Sequence, residues 1–158
     1  MPLIFYIAAS ISIVFATAVF GLLLNNALNR KAFYKKFKNM NFLKSENANR
    51  YIGVILMKRI IIHSFWKNLN PALRLNSAEG KGNIIRLYDE MTNAEISHLI
   101  GFLLTLIIIL ISYWADFHSG IIVPLMVANI IFHLYPALLQ QYNKRRIKRF
   151  LEEHYNFK

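Results

Sequence analysis

Three apolar runs punctuate this chain, at Leu3–Leu24, Leu99–Ala115 and Gly120–Leu139. Each approaches the ~20 residues that carry a helix across ~30 Å of hydrocarbon. The pattern predicts an all-α integral membrane protein with three transmembrane helices, over 3–24, 98–115 and 120–141. A mixed polar and apolar segment, 30–97, joins the first two spans, and a basic tail, 142–158, follows the third; the whole chain, 1–158, reads as one membrane domain. In the first span, Ala8, Ala9, Ser10, Ala16, Ala18 and Gly21 are small enough to let helices approach closely.

The joining segment is more varied. Arg30–Lys44 alternates lysines with Phe33, Tyr34, Phe37, Met40, Phe42 and Leu43 at three- and four-residue spacing, the pattern of an amphipathic helix lying in the membrane interface. Tyr51–Trp66 is apolar but broken by Lys58-Arg59, too short to span on either side, and reads as re-entrant or interfacial. Asn70-Pro71 and Gly80-Lys81-Gly82-Asn83 read as turns. Ile84–Ser97 then carries a helical pattern into the second span, with Thr92-Asn93 either breaking it or capping a new helix.

Charge gives the spans a direction. Nineteen Lys and Arg residues are present, and none falls in 1–29 or 99–143. Loops rich in these residues stay on the cytoplasmic side. The expected topology has the N-terminus outside, 30–97 inside, a short outer turn at Asp116–Ser119, and the C-terminus inside, in a bacterial cell membrane. A hydrophobic fraction of 56% beside a net charge of +11 suits a small membrane protein. Anionic lipid attracts each juxtamembrane cation by ~1 kcal/mol, so membrane lipid accounts for the basicity without a nucleic-acid partner. The N-terminus lacks the basic leader of a signal peptide, so an uncleaved anchor is expected.

Cysteine is absent, which removes disulfides, thiolate nucleophiles and Cys-based zinc sites. The chemistry then rests on polar side chains at membrane depth, each expensive and therefore a functional candidate. Glu95 and His98 lie at i, i+3 where the second span begins, sharing a helix face. A carboxylate there could orient an imidazole that serves as general base and then general acid; a capping carboxylate beside an interfacial histidine fits the same spacing. Asn129 and His133 lie at i, i+4 within the third span, with Gln140 seven residues on. They read either as polar glue between helices or as the lining of a substrate channel. His118, on the outer turn, and His154, in the tail, are expected to be solvated. Glu95-x-x-His98 matches half of a di-iron carboxylate site, but no second Glu-x-x-His occurs and the other spans hold no carboxylate. No metal site is expected, and serine-hydrolase and phosphate-loop motifs are missing.

Two stretches together resemble a known family. One is Glu90-Met91-Thr92-Asn93-Ala94-Glu95-Ile96-Ser97-His98; the other is Asn129 followed by Leu134–Arg146, with Gln140-x-Tyr142-Asn143 at its centre. Both look like the glycosyl-4,4'-diaponeurosporenoate acyltransferases, which finish the carotenoid pigment staphyloxanthin. The Trp66-Lys67 pair, followed by Leu69-Asn70-Pro71, also has a counterpart there, and the likeness runs from about Trp66 to Arg149. Met91 stands where Thr is usual, Gln141 where Arg is usual, and His133 where Asn is more typical.

The resemblance implies transfer of a fatty acyl group onto a sugar hydroxyl of a glycosylated lipid, such as a glycosyl carotenoid. Acyl-CoA or an acyl carrier protein would be the donor substrate, and no separate cofactor is implied. His98 would deprotonate the acceptor hydroxyl, with Glu95 or Glu90 orienting it. Trp66, Lys67, Asn129, His133, Gln140, Tyr142, Asn143 and Arg145 would bind donor or sugar. The basic surfaces around Arg30–Lys67 and Lys144–Arg149 would meet donor phosphates or an acidic carrier. A homo-oligomer is compatible with the sequence. The alternative is a non-catalytic small subunit or scaffold of a larger membrane complex, in which the small and amide side chains serve only packing.

Overall fold

A computed structural model describes residues 2–31, 34, 40, 42–43, 45–63, 80–116 and 118–155. Among them there are helices and no strand. They are α1 (Leu3–Leu28), α2 (Glu46–Tyr51), α3 (Val54–Ile62), α4 (Lys81–Trp114), a 3-10 turn (Ser119–Ile121), α5 (Ile122–Asn129), a π-helical turn (Ile130–Leu134) and α6 (Tyr135–Tyr155). The expected Arg30–Lys44 amphipathic helix falls mostly outside the described residues, and the Asn70-Pro71 turn, Trp66 and Lys67 fall wholly outside them.

Three helical runs are long and apolar enough to cross a membrane: Leu3–Leu28, Lys81–Trp114 and Ser119–Tyr155. At 1.5 Å per residue, even the 26-residue α1 reaches about 39 Å, beyond the ~30 Å of a hydrocarbon core. Large apolar side chains along them face outward, Phe20, Leu23, Leu103, Ile111 and Val123 among them. In water such a surface would aggregate; in lipid it is the expected exterior. Tyr113 and Trp114 end α4 as exposed aromatics, suited to a headgroup layer.

The helices run further than the apolar pattern indicates. Gly80–Asn83 is not an isolated turn, because α4 starts at Lys81 and the N–H groups of Asn83 and Ile84 already bond the Gly80 carbonyl. Thr92-Asn93 neither breaks nor caps it: the Thr92 hydroxyl donates to the Tyr88 carbonyl one turn back, at 2.9 Å, so its competing hydrogen bond is absorbed by the helix. The tail from 142 is helical to Tyr155. Of Tyr51–Trp66, the described residues 51–63 divide at Gly53, whose φ of 82° ends α2 and starts α3 in a conformation that glycine adopts without penalty.

The chain forms two compact units. The first comprises Met1–Asn39 with Ile96–Ala137. Its apolar core joins Val14 of α1, Ile109 of α4, and Leu125 and Ala128 of α5. The buried residues of α1 are Ser10, Val14, Thr17, Gly21 and Asn25, a stripe at steps of three and four down one side of a helix that is apolar all round. Gly21 lets the α4 backbone come close, since a Cβ there would lie 2.5 Å from the Ser97 carbonyl oxygen. Pro136 explains the π-helical turn: it has no N–H for the Phe132 carbonyl and its ring crowds that position, so the helix widens just before it.

The second unit comprises Met40–Glu95 with Leu138–Lys158. Ile84, Leu87 and Met91 of α4 interlock with Ile147 and Leu151 of α6, flanked by Tyr88, Phe150 and Tyr155.

Candidate functional site

In the first unit, polar side chains converge inside an apolar shell. The π-helical turn brings His133 to full burial, where its Nε2 lies 3.0 Å from the Thr17 hydroxyl of α1. Thr17 in turn lies 2.9 Å from the Thr105 hydroxyl of α4, which also reaches the Gly101 carbonyl at 2.9 Å. The Thr17 hydroxyl is within 3.0 Å of the Ile13 and Val14 carbonyls, either of which can take its only proton. The tautomer that satisfies these contacts donates from Nε2 and leaves Nδ1, which has no partner, as a bare acceptor. The opposite tautomer would strand a buried N–H, the rarer and costlier defect.

Two further residues bear on this centre. The half-buried His98 ring lies 6.0 Å from the His133 ring, centroid to centroid. Asn129, fully buried, donates to the Phe102 carbonyl at 3.2 Å while its Oδ1 has no partner. Gly101 makes room for the imidazole, since a Cβ there would sit 2.5 Å from the His133 ring. A second polar chain runs alongside: the Tyr34 hydroxyl donates to Asn25 Oδ1 at 2.7 Å, and Asn25 Nδ2 donates to the Ser97 hydroxyl at 3.0 Å.

In the second unit Glu95 is fully buried. Its Oε1 accepts from Gln141 Nε2 at 2.7 Å and its Oε2 from Lys144 Nζ at 2.5 Å. Gln141 and Lys144 occupy one face of α6 at i, i+3, and Gln141 Oε1 accepts the Phe42 backbone N–H at 3.0 Å. Gln141, which departs from the family pattern, thus sits directly on Glu95. Next to this pair, Asn143 is buried with neither side-chain polar atom bonded, and Gln140 Oε1 and Asn49 Oδ1 are likewise unsatisfied.

The remaining candidates are peripheral. Glu90 lies on the surface at 3.4 Å from Arg86, an exposed i, i+4 pair that contributes little. The Tyr142 ring has the Lys58 ammonium 5.3 Å from its centroid, and Arg145 is half-buried. His118 and His154 are exposed. Among the described residues no cluster of His and carboxylates could hold a metal ion. The sequence pattern does not single out Thr17 and Thr105; it puts Tyr34 on an interfacial helix and Lys144 on a basic surface, whereas both are buried. Thr17 had a weak signal in its seven-residue step from Ser10; Thr105 had none, and Lys144 had only its i, i+3 relation to Gln141.

The chain matches a family model described as glycosyl-4,4'-diaponeurosporenoate acyltransferase over residues 29–153. That range includes Glu95, His98, Asn129, His133 and the whole Gln140–Lys144 turn. No curated protein and no solved structure matches. With most of its length covered, this multi-pass helical chain belongs to the glycosyl-4,4'-diaponeurosporenoate acyltransferase family.

Proposed function

We propose that this protein is a membrane-embedded O-acyltransferase that moves a fatty acyl group from a thioester donor onto a sugar hydroxyl of a glycosyl carotenoid. The observation that carries the mechanism is the pairing of His98 with His133. Their rings lie 6.0 Å apart, one partly open and the other fixed through Nε2 by Thr17.

The chemistry follows from those groups. His98 accepts the proton of the sugar hydroxyl as its oxygen attacks the thioester carbonyl. The new C–O bond forms, the C–S bond breaks, and the thiolate takes the proton that His98 carries. General-base help of this kind contributes roughly 10²–10⁴-fold. His133 Nδ1 and Asn129 Oδ1 are buried acceptors without donors. A sugar offers several hydroxyl donors, so these two atoms suit it better than an apolar chain, and an unsatisfied buried acceptor costs about 1–3 kcal/mol until filled. The lipid parts of both reactants lie against the apolar exterior of the spans.

Glu95 has both oxygens engaged by Gln141 and Lys144, and in this reading it is a positioning residue that fixes the polar face of α6. Gln140, Tyr142, Asn143 and Arg145, around the same stretch of α6, bind donor or sugar, as do Trp66 and Lys67. Glu90, exposed on α4, is assigned a surface role. The lysine- and arginine-rich segments face the cytoplasm of a bacterial cell, with the N-terminus outside.

The test is expression in cells that accumulate a glycosyl carotenoid, followed by lipid extraction and mass spectrometry. The expected product is heavier by one fatty acyl group only when the protein is present. Unchanged lipids, with the protein confirmed in the membrane, would favour a non-catalytic subunit.

A further inference from the structure

One surface of α6 shares only Tyr142 with the residues assigned to acyl transfer. Tyr142, Arg146, Arg149, Phe150 and Glu153 line an open groove of ≈ 370 Å³. Their spacing of four, three, one and three residues puts them on one side of the helix. Two aromatic rings line the groove, Tyr142 at one end and Phe150 one turn before Glu153, about 12 Å apart along the axis, with two guanidinium groups between them; the Phe150 ring also stacks on His154, 4.2 Å between centroids. Glu153 is the one carboxylate in the lining. Lys58 of α3 adds a third cation, its ammonium 5.3 Å from the Tyr142 ring centroid.

These cations are crowded. Burial lowers the Lys58 pKa below the ordinary lysine value, and the positive charge of Arg146 lowers it further. Like charges gathered around a concavity raise its affinity for a polyanion. Arg146 and Arg149 offer planar forks that match phosphate oxygens bidentately, and aromatic rings stack planar bases at about 1–3 kcal/mol each.

We propose that this groove holds the phosphorylated nucleotide end of a coenzyme A thioester, the acyl donor. The inference rests on the acyl-transfer reading and names the donor class within it. A phospholipid headgroup would use a cation or two but has no planar base to set against the Tyr142 and Phe150 rings. An acidic carrier protein would need a broad convex contact, whereas a concavity of this volume is the size of a small-molecule site.

The experiment uses the full chain in nanodiscs of phosphatidylcholine, titrated calorimetrically with coenzyme A and with 4'-phosphopantetheine. The second probe keeps the arm common to coenzyme A and carrier proteins and lacks the nucleotide. Coenzyme A is expected to bind at least about tenfold more tightly, about 1.4 kcal/mol. Arg146→Gln and Phe150→Leu should each weaken coenzyme A about tenfold, with Arg146→Lys intermediate, because it keeps the charge and loses the fork. Lys148→Gln removes the same charge from an exposed pair with Glu152 outside the groove, and should change affinity less than about twofold. Equal affinity for the two probes would overturn the proposal, as would insensitivity to Arg146→Gln and Phe150→Leu. Loss of coenzyme A binding when phosphatidylglycerol is added at matched ionic strength would identify a lipid headgroup site instead. Binding is read without turnover, so acylated lipid formed from a carrier-protein thioester by a protein that ignores coenzyme A would refute the groove while leaving acyl transfer intact.

Discussion

Lys144 holds its ammonium 2.5 Å from a carboxylate oxygen of Glu95, with the two side chains only 6% and 0% exposed. Charges taken this far from water survive only when paired and further hydrogen-bonded, and Gln141 supplies the further bond. Removing one partner strands the other. Lys144→Met should cost about 3–5 kcal/mol, read as a lower thermal transition of the purified protein. Combining it with Glu95→Gln should recover most of that loss, since no lone charge then remains. A Lys144→Met protein as stable as the parent would show that the pair does not hold α4 to α6.

Thr17 governs the tautomer of His133. Thr17→Val keeps the shape and removes the oxygen that accepts from Nε2, so a buried N–H loses its partner at about 1–3 kcal/mol. Acyl transfer should fall with it, and Thr17→Ser should restore both stability and turnover. Unchanged turnover in Thr17→Val would detach His133 from the mechanism.

Gly101 and Gly21 separate two kinds of crowding. A methyl group at Gly101 would lie 2.5 Å from the imidazole of His133, a side chain that can turn away. The same change at Gly21 would meet backbone, the Ser97 carbonyl oxygen at 2.5 Å and the Gly101 nitrogen at 3.0 Å, which cannot move without shifting a helix. Gly21→Ala should therefore lower the amount of folded protein in the membrane. Gly101→Ala should keep more of the fold while losing activity, measured as product per unit of inserted protein. The reverse ranking would contradict this packing.

The spans were legible because lipid demands long apolar runs, and Leu3–Leu24 carries that signal without help from the fold. Helix ends were less so. Thr92-Asn93 looks like a cap, and only the burial of Leu87 and Met91 against Ile147 and Leu151 shows why the helix continues through it. The helical tail is hidden for the same reason, since Ile147 and Leu151 are two apolar residues amid charge until α4 covers them. In the candidate site, Asn129 and His133 stood out as polar groups in an apolar run. Thr17 and Thr105 did not, because threonine is unremarkable in a span and gains meaning only when a third helix brings an imidazole to it. Lys144 was hidden in a basic cluster whose other members are mostly solvated; its burial is a property of the packed unit alone.

The role of His98 as the base in acyl transfer is tested by product formation from His98→Ala against the parent. Both proteins would be quantified in the membrane and the acylated glycolipid measured by mass spectrometry. The expected result is a fall of roughly 10²–10⁴-fold at equal protein, with the unacylated glycolipid accumulating instead. Parent-level product from His98→Ala would contradict the assignment and remove His98 from the reaction.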